Sequence, residues 1–153
     1  MTKSEIKKRI TFLREHITFD ASELDVVVSR QPAAFMDAAT VTAHATSIRD
    51  AAKDALATIT ASSSLKARGS GDKMTEAKIA AMVATDTEVL DAKDELRETT
   101  LLMNEAIAVR DAYAQRNYML RDMVLLHQSG MNAGDSTYED SRNRMADARR
   151  KAA

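Results

Sequence analysis

The side chains best suited to chemistry here are a run of carboxylates, three histidines and a few cations beside glycines. Asp86, Glu88, Asp91, Asp94, Glu95 and Glu98 lie close together. Carboxylates three or four positions apart share a helix face, where they can hold a hard cation or divide acid and base roles. A di-metal helix bundle adds Glu-x-x-His pairs, and the sequence contains none. The expectation is a solvated acidic face without a metal. His16, His44 and His127 are far apart in sequence, and the chain has no cysteine to complete a zinc site with them. Ser-x-x-Lys occurs at Ser4–Lys7, Ser63–Lys66 and Ser70–Lys73, without the Ser-Asp-Asn and Lys-Thr-Gly segments of serine–lysine enzymes. Neither Gly-x-Ser-x-Gly nor Gly-x-x-x-x-Gly-Lys is present. These observations predict a non-enzymatic protein with no cofactor.

The most informative stretch is Lys66-Ala67-Arg68-Gly69-Ser70-Gly71-Asp72-Lys73. Cations beside a glycine-rich loop can approach a phosphodiester backbone, arginine as a planar fork and lysine as a point charge. The plainer reading is compensation of a helix C-terminal dipole. Lys66, Arg68 and Lys73 are the candidate nucleic-acid-binding residues. Arg110, Arg116 and Arg121 could extend a positive track; none has an acid three or four positions away, and the plainer reading is a solvated cation or a pair with another helix. Tyr113 and Tyr118 lie near them as sparse stacking platforms for bases.

The elements that must position these groups read as helices. Ile6, Ile10, Leu13 and Ile17 form a narrow stripe over 3–17 with basic residues on the other faces, and docking on its own domain is the plain expectation. Asp20 or Ser22 can cap a second helix over about 21–63, with a kink or short break near Ser29–Gln31 imposed by Pro32. Gly69 and Gly71 end it and permit positive φ, which predicts a mobile loop at 69–73. Thr75 caps a third helix, and no glycine or proline follows before Ser129-Gly130. Unbroken, that helix is a rod of roughly 80 Å, against a radius of gyration of about 15 Å for a globular chain of this size. Its imperfect apolar stripe, interrupted by Asp86, Lys93 and Arg110, predicts a mixed bundle, partly intermolecular. A loop at 132–136 and a weak helix or tail over 137–151 complete the chain.

Composition agrees. Of 153 residues, 27 are alanine, six are aromatic and one is proline, which excludes an all-β domain and favours an all-α fold of long helices in an elongated, homo-oligomeric bundle. The net charge is −1, so bulk charge does not announce a nucleic-acid binder, yet residues 1–14 sum to +4 and basic groups recur in patches. The absence of cysteine, of a long apolar run and of an apolar signal segment predicts a cytoplasmic protein without membrane association. The organisation expected is a basic amphipathic helix at 1–17, a helical core domain at 18–129 with its basic loop at 66–73, and a loop with a basic tail at 130–153.

Leu65-Lys66-Ala67-Arg68 before a glycine-rich loop resembles the basic motif of the UvsY-type phage recombination mediators. Asp20-Ala-Ser-Glu-Leu24, Thr75-Glu76-Ala-Lys78 and Asp86-Thr-Glu-Val89-Leu90 resemble, in order, a helix start, the next helix start and an Asp-x-x-Val-Leu element of that family, over about 20–125. The resemblance implies a homo-oligomeric, non-enzymatic, single-stranded-DNA-binding protein. Such proteins help a recombinase displace single-strand-binding protein in DNA recombination and repair. A phage protein of this kind would work in the host cytoplasm. Lys66 and Arg68 would be its DNA contacts, and Lys73 joins them by proximity. The alternative is a structural or scaffold helix-bundle protein of a phage particle or its assembly.

Overall fold

The computed structural model describes residues 1–19, 21–69 and 74–128. Among these the fold is all-helical: α1 (Lys3–Glu15), a 3-10 turn (Ala21–Glu23), α2 (Leu24–Arg68), α3 (Glu76–Thr85) and α4 (Thr87–Gln128). At 1.5 Å per residue α2 is about 67 Å long and α4 about 63 Å. They run antiparallel. Gln31 meets Tyr113, Thr42 meets Ala106 and Ser63 meets Asp86 along the shared seam. The seam is lined mostly by small or β-branched side chains, with Ala38, Val41 and Ala45 of α2 facing Ala106, Val109 and the larger Leu102 of α4, all nearly fully buried. Alanine at these positions lets two backbones approach closely.

Each half of the hairpin receives one short helix. The α1 stripe of Ile6, Ile10 and Leu13 is buried against α2 and α4, with Ile17 packed at its margin. Docking in cis is therefore how the basic helix covers its apolar face. A Thr2–Glu5 capping box starts α1 by satisfying backbone donors at both residues. At the other end Ile79 and Val83 of α3 bury Val89 and Ala67, with Leu56, Ile59 and Met74 packed around them.

Several local expectations need correction. The third helix is not one rod: it breaks at Asp86, whose backbone is extended (ψ 124°) and whose carboxylate accepts from the Glu88 N–H at 3.0 Å and from the Ser63 hydroxyl. An aspartate that caps the following helix and gains a hydroxyl from α2 makes a break without glycine or proline. Of the kink or short break expected at Pro32, the break is absent: α2 is helical through it. Packing against α4 outweighs the hydrogen bond proline cannot make. The second helix also ends later than expected. It runs on from 63 to Arg68, with the Ser64 hydroxyl on the Thr60 carbonyl at 2.9 Å. Gly69, its C-cap, has φ −77° and uses no positive φ. At the start of α2 the cap position falls on Glu23, without a side-chain cap bond. Asp20, Gly71, the loop residues 70–73 and everything after Gln128 lie outside the described residues.

Candidate nucleic-acid interface

Lys66 and Arg68 stand on the last turn of α2, both more than half exposed. Residues two apart on a helix point to different sides, and these two reach different neighbours. The Lys66 ammonium meets Glu88 of α4 at 3.2 Å, while the Arg68 guanidinium meets both carboxylate oxygens of Glu76 of α3 at 3.0 and 3.1 Å. The two candidate contacts are thus brought to one end of the hairpin but do not converge, and each has a counter-ion. Glu88 and Glu76 are themselves 66% and 80% exposed. Ion pairs open to water at both partners contribute about 0–1 kcal/mol, so a phosphate can compete for either cation. Lys73 lies outside the described residues. Between α2 and the α3–α4 break lies a shallow groove of about 470 Å³ bordered by Ser63, Lys66, Met82 and Asp86. Ser63 donates to Asp86, and this interaction holds the Asp86 carboxyl below its ordinary range. Ser63 and Lys66, spaced as in serine–lysine enzymes, therefore engage different carboxylates.

The acidic run is divided among separate tasks. Asp86 caps α4, Glu88 meets Lys66, Asp94 pairs with Arg97, and Glu95 and Glu98 receive Lys3 and Lys7 from α1. Among the described residues no group of three or more His, Cys, Asp or Glu side chains is arranged to hold a metal ion.

The arginines of α4 do not form one track. Arg110 turns onto the adjacent Asp111 at 2.7 Å, and Arg121 lies 3.8 Å from Asp122. Spacing rules that look three or four residues away miss these adjacent pairs. Arg116 is half-buried against the start of the hairpin: its guanidinium covers the rings of Phe19 and Tyr113, at 5.0 and 5.5 Å, and donates to the His16 carbonyl at 3.2 Å. Tyr113 is 1% exposed and its hydroxyl donates to the Leu13 carbonyl at 3.0 Å, so it cannot serve as a stacking platform. Burial raises its phenol above the usual range. Tyr118 is 61% exposed and remains accessible.

One concavity has little signature in the sequence. Arg9, Phe12, His16, Phe19, Asp37 and Arg116 border a space of about 510 Å³ where α1 gives way to α2. Arg9 lies over the Phe12 ring and pairs with Asp37, and Phe12 stacks on His16 at 4.1 Å. The Arg9–Asp37 pair and the contacts of Arg116 with Phe19 and the His16 carbonyl cross from α1 and the segment after it to the hairpin, which makes the space a joint between them. The aromatic spacing Phe12–His16 is its only trace in the sequence.

Comparison with models of protein families, with curated proteins and with solved structures finds no match for this chain.

Proposed function

We propose that the protein acts by association, as a non-enzymatic structural or scaffold helix-bundle protein that assembles with copies of itself. The observation that carries this reading is the set of large apolar side chains on helix faces turned away from the core. Met36, Leu65, Leu101, Tyr118 and Met119 are each between 59% and 69% exposed. Scattered exposed leucines are ordinary, but several along one helix favour a contact surface. Light scattering on the full chain should give a mass at least twice 16.8 kDa at micromolar concentration. A monomer there overturns the reading.

A second reading is single-stranded-DNA binding of the recombination-mediator type, working beside a recombinase and single-strand-binding protein. It is supported by the accessible Lys66 and Arg68 and by counter-ions exposed enough to be displaced. Symmetry would then multiply weak cation pairs into useful avidity. Fluorescence anisotropy with single-stranded DNA at two salt concentrations tests it. Replacing both Lys66 and Arg68 by alanine should weaken binding. It should also flatten the log–log salt slope by roughly 0.7 for each phosphate that is no longer neutralised. Binding unchanged by the double substitution, or absent at low salt, removes this reading and leaves the first.

A further inference from the structure

The outer face of α4 carries two parallel tracks that are complementary to themselves. At 100° per residue, Leu90, Leu101, Ala108, Ala112, Met119 and Leu126 fall within roughly 40° of one another, with the charged Asp94 at the same edge as Ala112. The core residues Leu102, Ala106, Val109 and Tyr113 are centred roughly 110° further round the same helix. Leu90, Leu101 and Met119 are 44%, 61% and 59% exposed, so neither α1, α2 nor α3 covers this track. Immediately beside it, within roughly 20° of one another, run Arg97, Asn104, Gln115 and Asp122.

We infer that this face is the contact between two copies of the chain, paired antiparallel about a two-fold axis near Arg110. The inference rests on the self-association proposed above and assigns its surface. A two-fold contact must be complementary to itself, since each residue meets one as far beyond the axis as it lies before it. Leu101 then meets Met119 of the second copy and Ala108 meets Ala112, so large apolar groups face each other and the smallest residues sit nearest the axis. On the neighbouring track Arg97 comes within one position of facing Asp122 and Asn104 within one position of facing Gln115, an offset that long side chains span, so a cation nears an anion and an amide an amide. In an antiparallel pair, residues on the same edge of the two helices oppose one another, which puts both polar pairs on one side of the apolar track. A shallow groove of about 480 Å³ beside Leu101, bordered by Leu96, Arg97, Thr100 and Asn104, receives the Met119 side chain of the second copy. Methionine suits such a seat because its unbranched chain adapts to an irregular groove. Within one copy Arg97 pairs with Asp94, exposed at 79% and 69%, and Asp122 lies 3.8 Å from Arg121, so both are accessible to exchange.

The test is a charge swap read by sedimentation equilibrium on the full chain. Arg97→Glu and Asp122→Arg each place like charges across the axis twice per dimer, and each should weaken self-association roughly tenfold. The combined variant R97E/D122R restores opposite charges and should recover association close to the original. Because the chain has no cysteine, a second readout is clean: Ala108→Cys mixed with Ala112→Cys should yield the mixed disulfide in excess over either self-linked product. If the original chain self-associates but the combined variant is as weak as the single ones, or the mixed disulfide is not preferred, this surface assignment is overturned and self-association stands. If the original chain is a monomer, the assignment and the reading beneath it both fall.

Discussion

Lys3 and Lys7 of α1 reach Glu95 and Glu98 of α4 at 2.7 and 2.9 Å, and these contacts tie the shortest path between the N-terminus and the hairpin. The Glu98 carboxyl is held below its ordinary range by Lys7 first and Lys3 second, while Glu95 chiefly holds Lys3 above its own. A depressed carboxyl contributes its stabilisation fully above its unfolded pKa, about 4.3, and loses it as pH falls through the folded value. The raised Lys3 contributes below about 10.4 and loses its share as pH rises through its folded value. Docking of α1 should therefore weaken in acid. Glu98→Gln should lower the melting temperature slightly at pH 7 and shrink the further loss between pH 5 and pH 3, followed by circular dichroism. An equal acid loss in the variant would show that this carboxylate does not govern the transition. The pairing could not be read from the sequence, because the partners are about ninety positions apart and only the fold sets them side by side. The same holds for Arg116, whose role follows from Phe19, Tyr113 and the His16 carbonyl and not from any neighbour in sequence.

Helix type was legible, and so were the starts of α1 and α3, the latter capped by Thr75 as its sequence indicates. The break at Asp86 was not. Thr85-Asp86-Thr87-Glu88 holds neither glycine nor proline, and an aspartate reads equally well as an exposed helix residue or as a cap until Ser63 is seen to donate to it. Pro32 errs in the opposite sense: it is the strongest helix breaker in the sequence, yet α2 continues through it because Gln31 donates to the Tyr113 carbonyl at 2.7 Å and Val27 and Ala38 pack on either side. A proline tolerated by packing still lacks its N–H and crowds the preceding turn. Pro32→Ala should therefore stabilise the protein, by up to about 3 kcal/mol, measured as an upward shift of the urea midpoint at constant slope. A neutral or destabilising result would mean that the ring itself fills the groove beside Phe35 and Tyr118 and that its packing offsets the missing bond.

The molecule has two cores of unequal size along one hairpin. The larger joins α1, α2 and α4 around Ile6, Ile10, Leu13, Val41, Leu102 and Tyr113; the smaller joins α2, α3 and α4 around Ala67, Ile79, Val83 and Val89. The length of the third helix suggests a rod that its own chain cannot cover, but α2 is nearly as long and covers one side of it. What stays uncovered is a face of α4 roughly 110° further round, which a single stripe of apolar positions does not separate from the first. Unequal cores joined by continuous helices set a specific pattern of opening. Ile10 is 1% exposed and Ile79 6%, so each truncation to alanine should cost about 2–5 kcal/mol, with Ile79 nearer the lower bound because its surroundings are thinner and collapse more readily. Local opening draws on the least buried units first. Hydrogen exchange in Ile79→Ala should accelerate in α3 and the α2 and α4 segments beside it while residues 38–45 and 102–113 keep their protection. Ile10→Ala removes part of the larger core and should accelerate exchange throughout, since the α3 end cannot hold the hairpin alone. If both variants accelerate all amides equally, α2 and α4 transmit every loss along their full length and the two cores open as one unit.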